Sequence, residues 1–279
     1  MDLSKDAADT EELQLLAQSV RTAMTDPSLA SGAKLDAALT NLGWHDMLDE
    51  IPYFAIPLVF RILGETGAHA PVLNDVVLHA AGRTPGGVTP LPFAGGSWVV
   101  WRRDDIPGSA IDDELPIHPV AEGDSAAQAG LAAGRQALGW WLVGASRAML
   151  ALARQHALDR VQFGRHISSF QAIRHRLAET LVAIEGAEAT LHAAATASDD
   201  PDDLASLLAK AAAGEAALTT ARHCQQVLGG IGFTAEHQLH CHIKRSLILD
   251  SLLGSTRELT GQAGAALRAN GSAPRLVQL

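Results

Sequence analysis

Residues 225 to 246 read QQVLGGIGFTAEHQLHCHIKRS and gather groups able to do chemistry. Gly229, Gly230 and Gly232 fall within four positions, and His237, His240, Cys241 and His242 within six. Glycines at a helix end expose backbone amides and let a phosphate approach closely. The same glycines also suit a plain helical C-cap and turn. Imidazoles and a thiol are metal ligands, but helical spacing works against a metal here. His237 can share a face with His240 or Cys241, while His242 points elsewhere, so no metal is expected. A second stretch, DRVQFGRHISSFQAIRHRLAE (159–179), carries Arg160, whose planar fork of donors suits a phosphate oxygen. Its alternative is an ion pair with Asp159 or Glu179. Phe163 and Phe170 in the same stretch also read as core anchors.

Helices must position these groups. Leu13, Leu16 and Val20 predict a first helix over 9–24, ended by Asp26-Pro27. A second is expected over 33–44, with Leu35, Ala38 and Leu42 on one face. Two more fit IPYFAIPLVFRILGETG and APVLNDVVLHAAG. Residues 83–124 change character, rich in Gly, Pro and Asp, with short extended candidates VTPLPF, SWVVWRR and ELPIHPV. From 125 the chain is helical again. Helices are expected over 125–160, from Phe170 past Leu191, from SDDPDDLASLL to about 228, over 235–252 and over 256–269. Phe170, Ile173, Leu177, Leu181, Ile184, Ala187 and Leu191 form the stripe a bundle helix presents to its neighbours. The last residues, NGSAPRLVQL, read as a tail. The expected organisation is a helical unit (1–82), a reduced β segment (83–124) and a helical bundle (125–279).

Composition agrees with a mainly α fold. The 279 residues are 47% hydrophobic but only 4% aromatic, with Ala and Leu dominant. A net charge of -10 repels nucleic acid and anionic membranes, so neither is expected as a partner. Two cysteines suggest no disulfide framework and a reducing compartment. The polar opening MDLSKDAADTEE reads as no signal peptide, and no apolar run reaches the length of a membrane span. A cytoplasmic protein is expected.

Two stretches, DRVQFGRHISSFQAIRHRLAE and CQQVLGGIGFTAEHQLHCHIKRS, resemble the paired signatures of the C-terminal domain of acyl-CoA dehydrogenases, in order and separation. LGW (42–44) and ILGETGAHAPVLNDVVL (62–78) extend the resemblance more faintly. The resemblance implies an N-terminal helical domain, a middle β domain and a C-terminal four-helix bundle. It implies FAD, with a carboxylate base taking the α proton and the flavin N5 the β hydride of an acyl-CoA thioester. It implies that Arg160, Phe163, Gln171, Gln226, Gly229 and Gly230 hold the ADP end of a neighbouring subunit's FAD.

The departures carry equal information. The middle segment is short beside the family's, and strands to hold the flavin ring are not evident. The family's two positions for the glutamate base fall on Leu253, in LLGS, and near Gly134, and neither residue can take a proton. No catalytic residue is therefore assigned. Asp250, one turn from Leu253, and Glu258 are the nearby acids. The pattern resembles the partner subunit of heterotetrameric actinobacterial acyl-CoA dehydrogenases that act on steroid side-chain thioesters. It implies a hetero-oligomer in which a catalytic acyl-CoA dehydrogenase subunit completes the site for FAD and acyl-CoA. The rival reading is an assembly protein that binds no nucleotide. A third is a repurposed enzyme using His118 or His166 for acid–base work.

Overall fold

The computed structural model describes residues 3–29, 31–104, 110, 115–123, 127–197 and 203–271. The acidic helix start at 198–202 and the tail at 272–279 lie outside the described residues. Helices α1 (Leu3–Thr25), α2 (Gly32–Asn41), α3 (Trp44–Glu50), α4 (Pro52–Thr66) and α5 (Leu73–Ala80) come first. Three short strands follow: β1 (Pro90–Phe93), β2 (Ser97–Trp101) and β3 (Ile117–Val120). The long helix α6 (Gln128–Asp159) leads into a hairpin, β4 (Val161–Gln162) and β5 (Arg165–His166). Helices α7 (Gln171–Ala195), α8 (Leu204–Leu228), α9 (Leu239–Ser251) and α10 (Thr256–Asn270) complete the chain. The fold is mainly α, as expected.

Several boundaries differ from expectation. The second helix stops at Asn41, because Gly43 turns the backbone left-handed (φ 84°) and Trp44 opens a separate helix with its indole fully buried. On α2 the buried residues are Leu35 and Leu39, one position on from the expected Ala38. The fourth bundle helix begins at Leu239, four residues later than 235, and His237 Nδ1 accepts the Leu239 N–H there at 3.1 Å. On α7 the stripe divides. Ile184, Ala187 and Leu191 are buried, whereas Leu181 is 43% exposed.

Close approach of α4 and α6 sets the frame. A Cβ on Gly64 would lie 2.3 Å from the Trp141 carbonyl oxygen, so only glycine lets the two backbones meet. Around this crossing an aromatic chain runs through the core. Trp44 packs on Phe60 at 6.3 Å, Phe60 meets Trp141 edge-on at 5.7 Å, and Trp141 stacks on Trp101 of β2 at 5.6 Å. Each such buried ring contributes a few kcal/mol of burial, on the order of 2. The chain thereby joins the N-terminal helices, the sheet and α6 in one core.

The sheet is antiparallel in the order β1-β2-β3, with Val99 opposite both Leu91 and Pro119. Pro90 and Pro92 on one outer strand and Pro119 on the other remove edge donors, which blunts pairing with a further strand. Buried Asp75 receives the Trp44 Nε1–H (3.1 Å), the Gly86 N–H (2.7 Å) and the Arg103 guanidinium, which also grips Asp36. These bonds fix the β segment to the N-terminal helices.

Candidate functional site

The residues singled out in the sequence fall in two places with opposite character. One is an end of the bundle. A hydrophobic cluster of Ala153 and Ala157 on α6, Cys224, Val227 and Leu228 on α8, and Leu239 on α9 brings these helices together there. Arg160 caps α6, Gln171 opens α7, Gln226 lies in the last turn of α8, and Gly229 caps that helix. All six expected nucleotide-side residues therefore stand at this end, and no hydrogen bond links their side chains to one another.

Arg160 is exposed. Its guanidinium makes no ion pair among the described residues. Asp159 is instead engaged by Gln155 Nε2 through both carboxylate oxygens, at 2.9 and 2.8 Å. From 154 to 176 the chain carries five arginines and a single acid, Asp159, so this end is basic on an acidic chain. Such a field attracts anions.

Phe163 is not a core anchor. It is 90% exposed at the tip of the β4–β5 hairpin. Phe163 (φ 54°) and Gly164 (φ 76°) form a two-residue turn with both residues left-handed, as a type I′ hairpin requires. Such a φ is unusual for phenylalanine and holds the ring outward. Its contact is Phe170, edge-on at 6.1 Å, and Arg165 lies over the Phe170 ring at 4.2 Å.

The glycines separate by cause. A Cβ on Gly232 would lie 2.9 Å from the Leu228 Cβ, so packing explains that glycine. Gly229 (φ 63°) needs its conformational freedom. Gly230 has neither reason: its φ is not positive, and a Cβ there would meet nothing within 4 Å. Gln226 is exposed beside it. Nothing among the described residues explains Gly230.

The histidine cluster is used for packing. His240 Nδ1 lies 2.8 Å from the His237 carbonyl, and Cys241 Sγ lies 3.4 Å from His240 Nε2. His242 faces a small cavity of about 240 Å³ with Thr66, Gly67, Gln238, Cys241 and Arg245. Burial first, then the charge of Arg245, holds both His69 and His242 neutral, with pKa values lowered to about 4. Among the described residues no three His, Cys, Asp or Glu side chains gather as a metal site. His118 is buried in β3 and His166 is exposed on the hairpin, so the two occupy different elements.

The second place is the seam between α5 and α6. Here the two family positions for a base meet, although 119 residues separate them in the numbering of Gly134 and Leu253. A Cβ on Gly134 would lie 2.6 Å from Leu253 Cδ1 and 2.9 Å from Val77 Cγ2. Leu253 is 1% exposed and adopts φ 56°, a strained conformation for a bulky residue. Both its backbone groups are held. Its N–H donates to the Pro92 carbonyl at 2.8 Å, and its carbonyl accepts from Arg135 Nε at 3.2 Å.

Around this turn lies a buried polar network that no local sequence pattern announces. Lys210 on α8 is fully buried and donates to the carbonyls of Asp250 (2.8 Å) and Gly254 (2.5 Å). Desolvation outweighs the attraction of Asp250 and lowers its pKa to about 7. Asp250 Oδ1 accepts from Thr256 Oγ1 (2.5 Å) and the Thr256 N–H (3.1 Å), so that oxygen caps α10. Glu258 closes a capping box with Ser255 and accepts the Gly95 N–H at 2.8 Å. That backbone bond, ahead of the ones from Ser255, holds its carboxyl below the usual range. The acids nearest Leu253 are thus occupied as helix caps. In an alanine-rich helix, a lone lysine reads as surface, which is why Lys210 escapes sequence analysis.

Comparison with known proteins agrees with this architecture. The acyl-CoA dehydrogenase C-terminal domain family matches residues 121–267, more than half of the chain. The chain belongs to the acyl-CoA dehydrogenase family. It is 41% identical over 117 residues to acyl-CoA dehydrogenase IpdE2 of Mycobacterium tuberculosis, a match covering 42% of this chain and 36% of that protein. The chain thus spans about a third of that relative's length. Its fold is similar to that of the Tcur3481-Tcur3483 steroid ACAD (TM-score 0.69, 19% identity, 95% of this chain and 99% of the other). It is also similar to that of the ChsE4-ChsE5 complex of Mycobacterium tuberculosis (TM-score 0.63, 19% identity, 94% and 98%). No helix among the described residues is long and apolar enough to cross a membrane.

Proposed function

We propose that this chain is one subunit of a two-subunit, FAD-dependent acyl-CoA dehydrogenase and supplies the ADP-side half of the flavin site without the base. The reaction of the complex is α,β-desaturation of an acyl-CoA. The observation that carries the reading is Gly230, a glycine with no cause among the described residues, standing with Arg160, which makes no ion pair among them, and outward-facing Phe163 at a basic bundle end. An open backbone, a free guanidinium and an exposed ring are the parts a nucleotide diphosphate requires from outside.

FAD, when bound, supplies the hydride acceptor for desaturation. In this chain Arg160 would hold the pyrophosphate or adenosine side, Gly229 and Gly230 would admit it closely, and Phe163, Gln171 and Gln226 would line it. Leu253 and Gly134 leave the chain without a proton acceptor at the family's positions. Two fold neighbours, Tcur3481-Tcur3483 and ChsE4-ChsE5, are named as pairs of chains, which supports a catalytic partner, and the first is a steroid ACAD, which favours a steroid-derived acyl group. Cys224 and Cys241 form no disulfide, which suits the reducing cytoplasm.

The test is to purify the chain alone and coexpressed with a candidate acyl-CoA dehydrogenase partner, then measure mass and flavin absorbance. The expected result is FAD in the complex only, near one per pair of unlike chains. A stable flavin-free homo-oligomer that ignores every such partner would instead favour an assembly protein without nucleotide.

A further inference from the structure

The α5–α6 seam carries an inference that concerns ligand access. Helices α5 and α6 are brought together by glycines: a Cβ on Gly130 would lie 2.6 Å from the Val77 carbonyl oxygen, and Gly134 faces Leu253 as described. Leu253 enters this seam from the α9–α10 turn and contacts the space between Gly134, Val77 and Leu73. Removing its side chain would leave a space lined by apolar groups. A dry apolar space of that kind binds small apolar molecules.

Nothing in the turn's own sequence favours this placement. Leu253 sits at φ 56°, a region where leucine is an outlier, and such conformations persist only where surrounding bonds impose them. Those bonds come from three separate elements. Pro92 in β1 takes the Leu253 N–H, Arg135 in α6 holds the Leu253 carbonyl, and Lys210 in α8 holds the carbonyls of Asp250 and Gly254 on either side. Arg135 is itself fixed by Asp203 at 2.6 Å.

We infer that Leu253 is a locked plug, which closes the seam between α5 and α6 to apolar ligands and is held there by Pro92, Arg135 and Lys210.

The plug is tested on the full chain alone, with benzene as probe and the methyl resonances of Leu73 and Val77 as reporters. The wild-type protein should show no saturable shift. Leu253→Gly relieves the left-handed strain, so it should fold, and it should show saturable shifts at both residues. Leu253→Ala is the second variant and should bind the same probe more weakly. Saturable binding by the wild type, or none by a folded Leu253→Gly protein, would overturn the plug. The lock is tested by Lys210→Met, which should speed amide exchange at Leu253 at least tenfold, and unchanged exchange would remove Lys210 from it. Flavin content is a separate readout, so the plug can fail while the two-subunit reading stands, and the reverse.

Discussion

The bundle end and the α5–α6 seam are built on opposite principles. At the bundle end, residue identities exceed what the chain needs for itself. Gly230 has open space around it, Phe163 faces solvent in a strained backbone, and Arg160 pairs with no acid among the described residues. In the seam every identity is accounted for internally. Gly134 is small because Leu253 is there, and Leu253 is strained because three elements hold its turn. A residue explained by its own chain serves the fold. One left unexplained points to something that approaches from outside.

Substitutions at both places test the contrast. The largest effect is expected from Gly134→Glu. It would force a carboxylate against Leu253 and Val77 in a dry seam, and should cost about 4 kcal/mol or more in chemical denaturation. If the variant kept wild-type stability, the seam would have to be open. Next comes Arg160→Ala. It should leave the melting temperature unchanged and weaken FAD retention by the complex about 10- to 100-fold, the worth of a charged hydrogen bond. Equal retention would detach Arg160 from the nucleotide.

Lys210→Met sharpens the seam side. The buried amine is lowered from its ordinary 10.5 to about 7, so between those values the unfolded chain binds the proton that the fold rejects. Stability should therefore rise with pH from about 7 to 10.5, by at most about 1.4 kcal/mol per unit. Melting curves across that range should lose this slope in Lys210→Met. The neutral pair His69 and His242 acts at lower pH. Both have folded pKa values near 4 against an ordinary 6.5, so stability should fall as pH drops through that window. His242→Gln should flatten the loss by on the order of 1 kcal/mol. Smallest of all, Phe163→Ala should change stability by no more than about 0.5 kcal/mol, because the ring is exposed.

Much of this was legible in the sequence. Helical periodicity gave the bundle, and Gly, Pro and Asp marked the β segment, because both signals are local. The six bundle-end residues were singled out only by the resemblance of two motifs to a known family. Their surroundings were not legible. The Phe163-Gly164 turn lacks the Asn-Gly or Asp-Gly that announces a type I′ hairpin. The meeting of Gly134 with Leu253, and the burial of Lys210, depend on helices packing across long sequence separations, which no local pattern records.

The most direct test of the central claim is anaerobic addition of an acyl-CoA to the isolated chain after incubation with FAD, and to the chain in complex with its partner. The reading predicts that the isolated chain retains no flavin and that only the complex shows bleaching of the flavin absorbance. Stoichiometric flavin on the isolated chain, bleached by the thioester, would contradict it. A base would then have to exist in this chain, and Asp250 would be the first residue to replace.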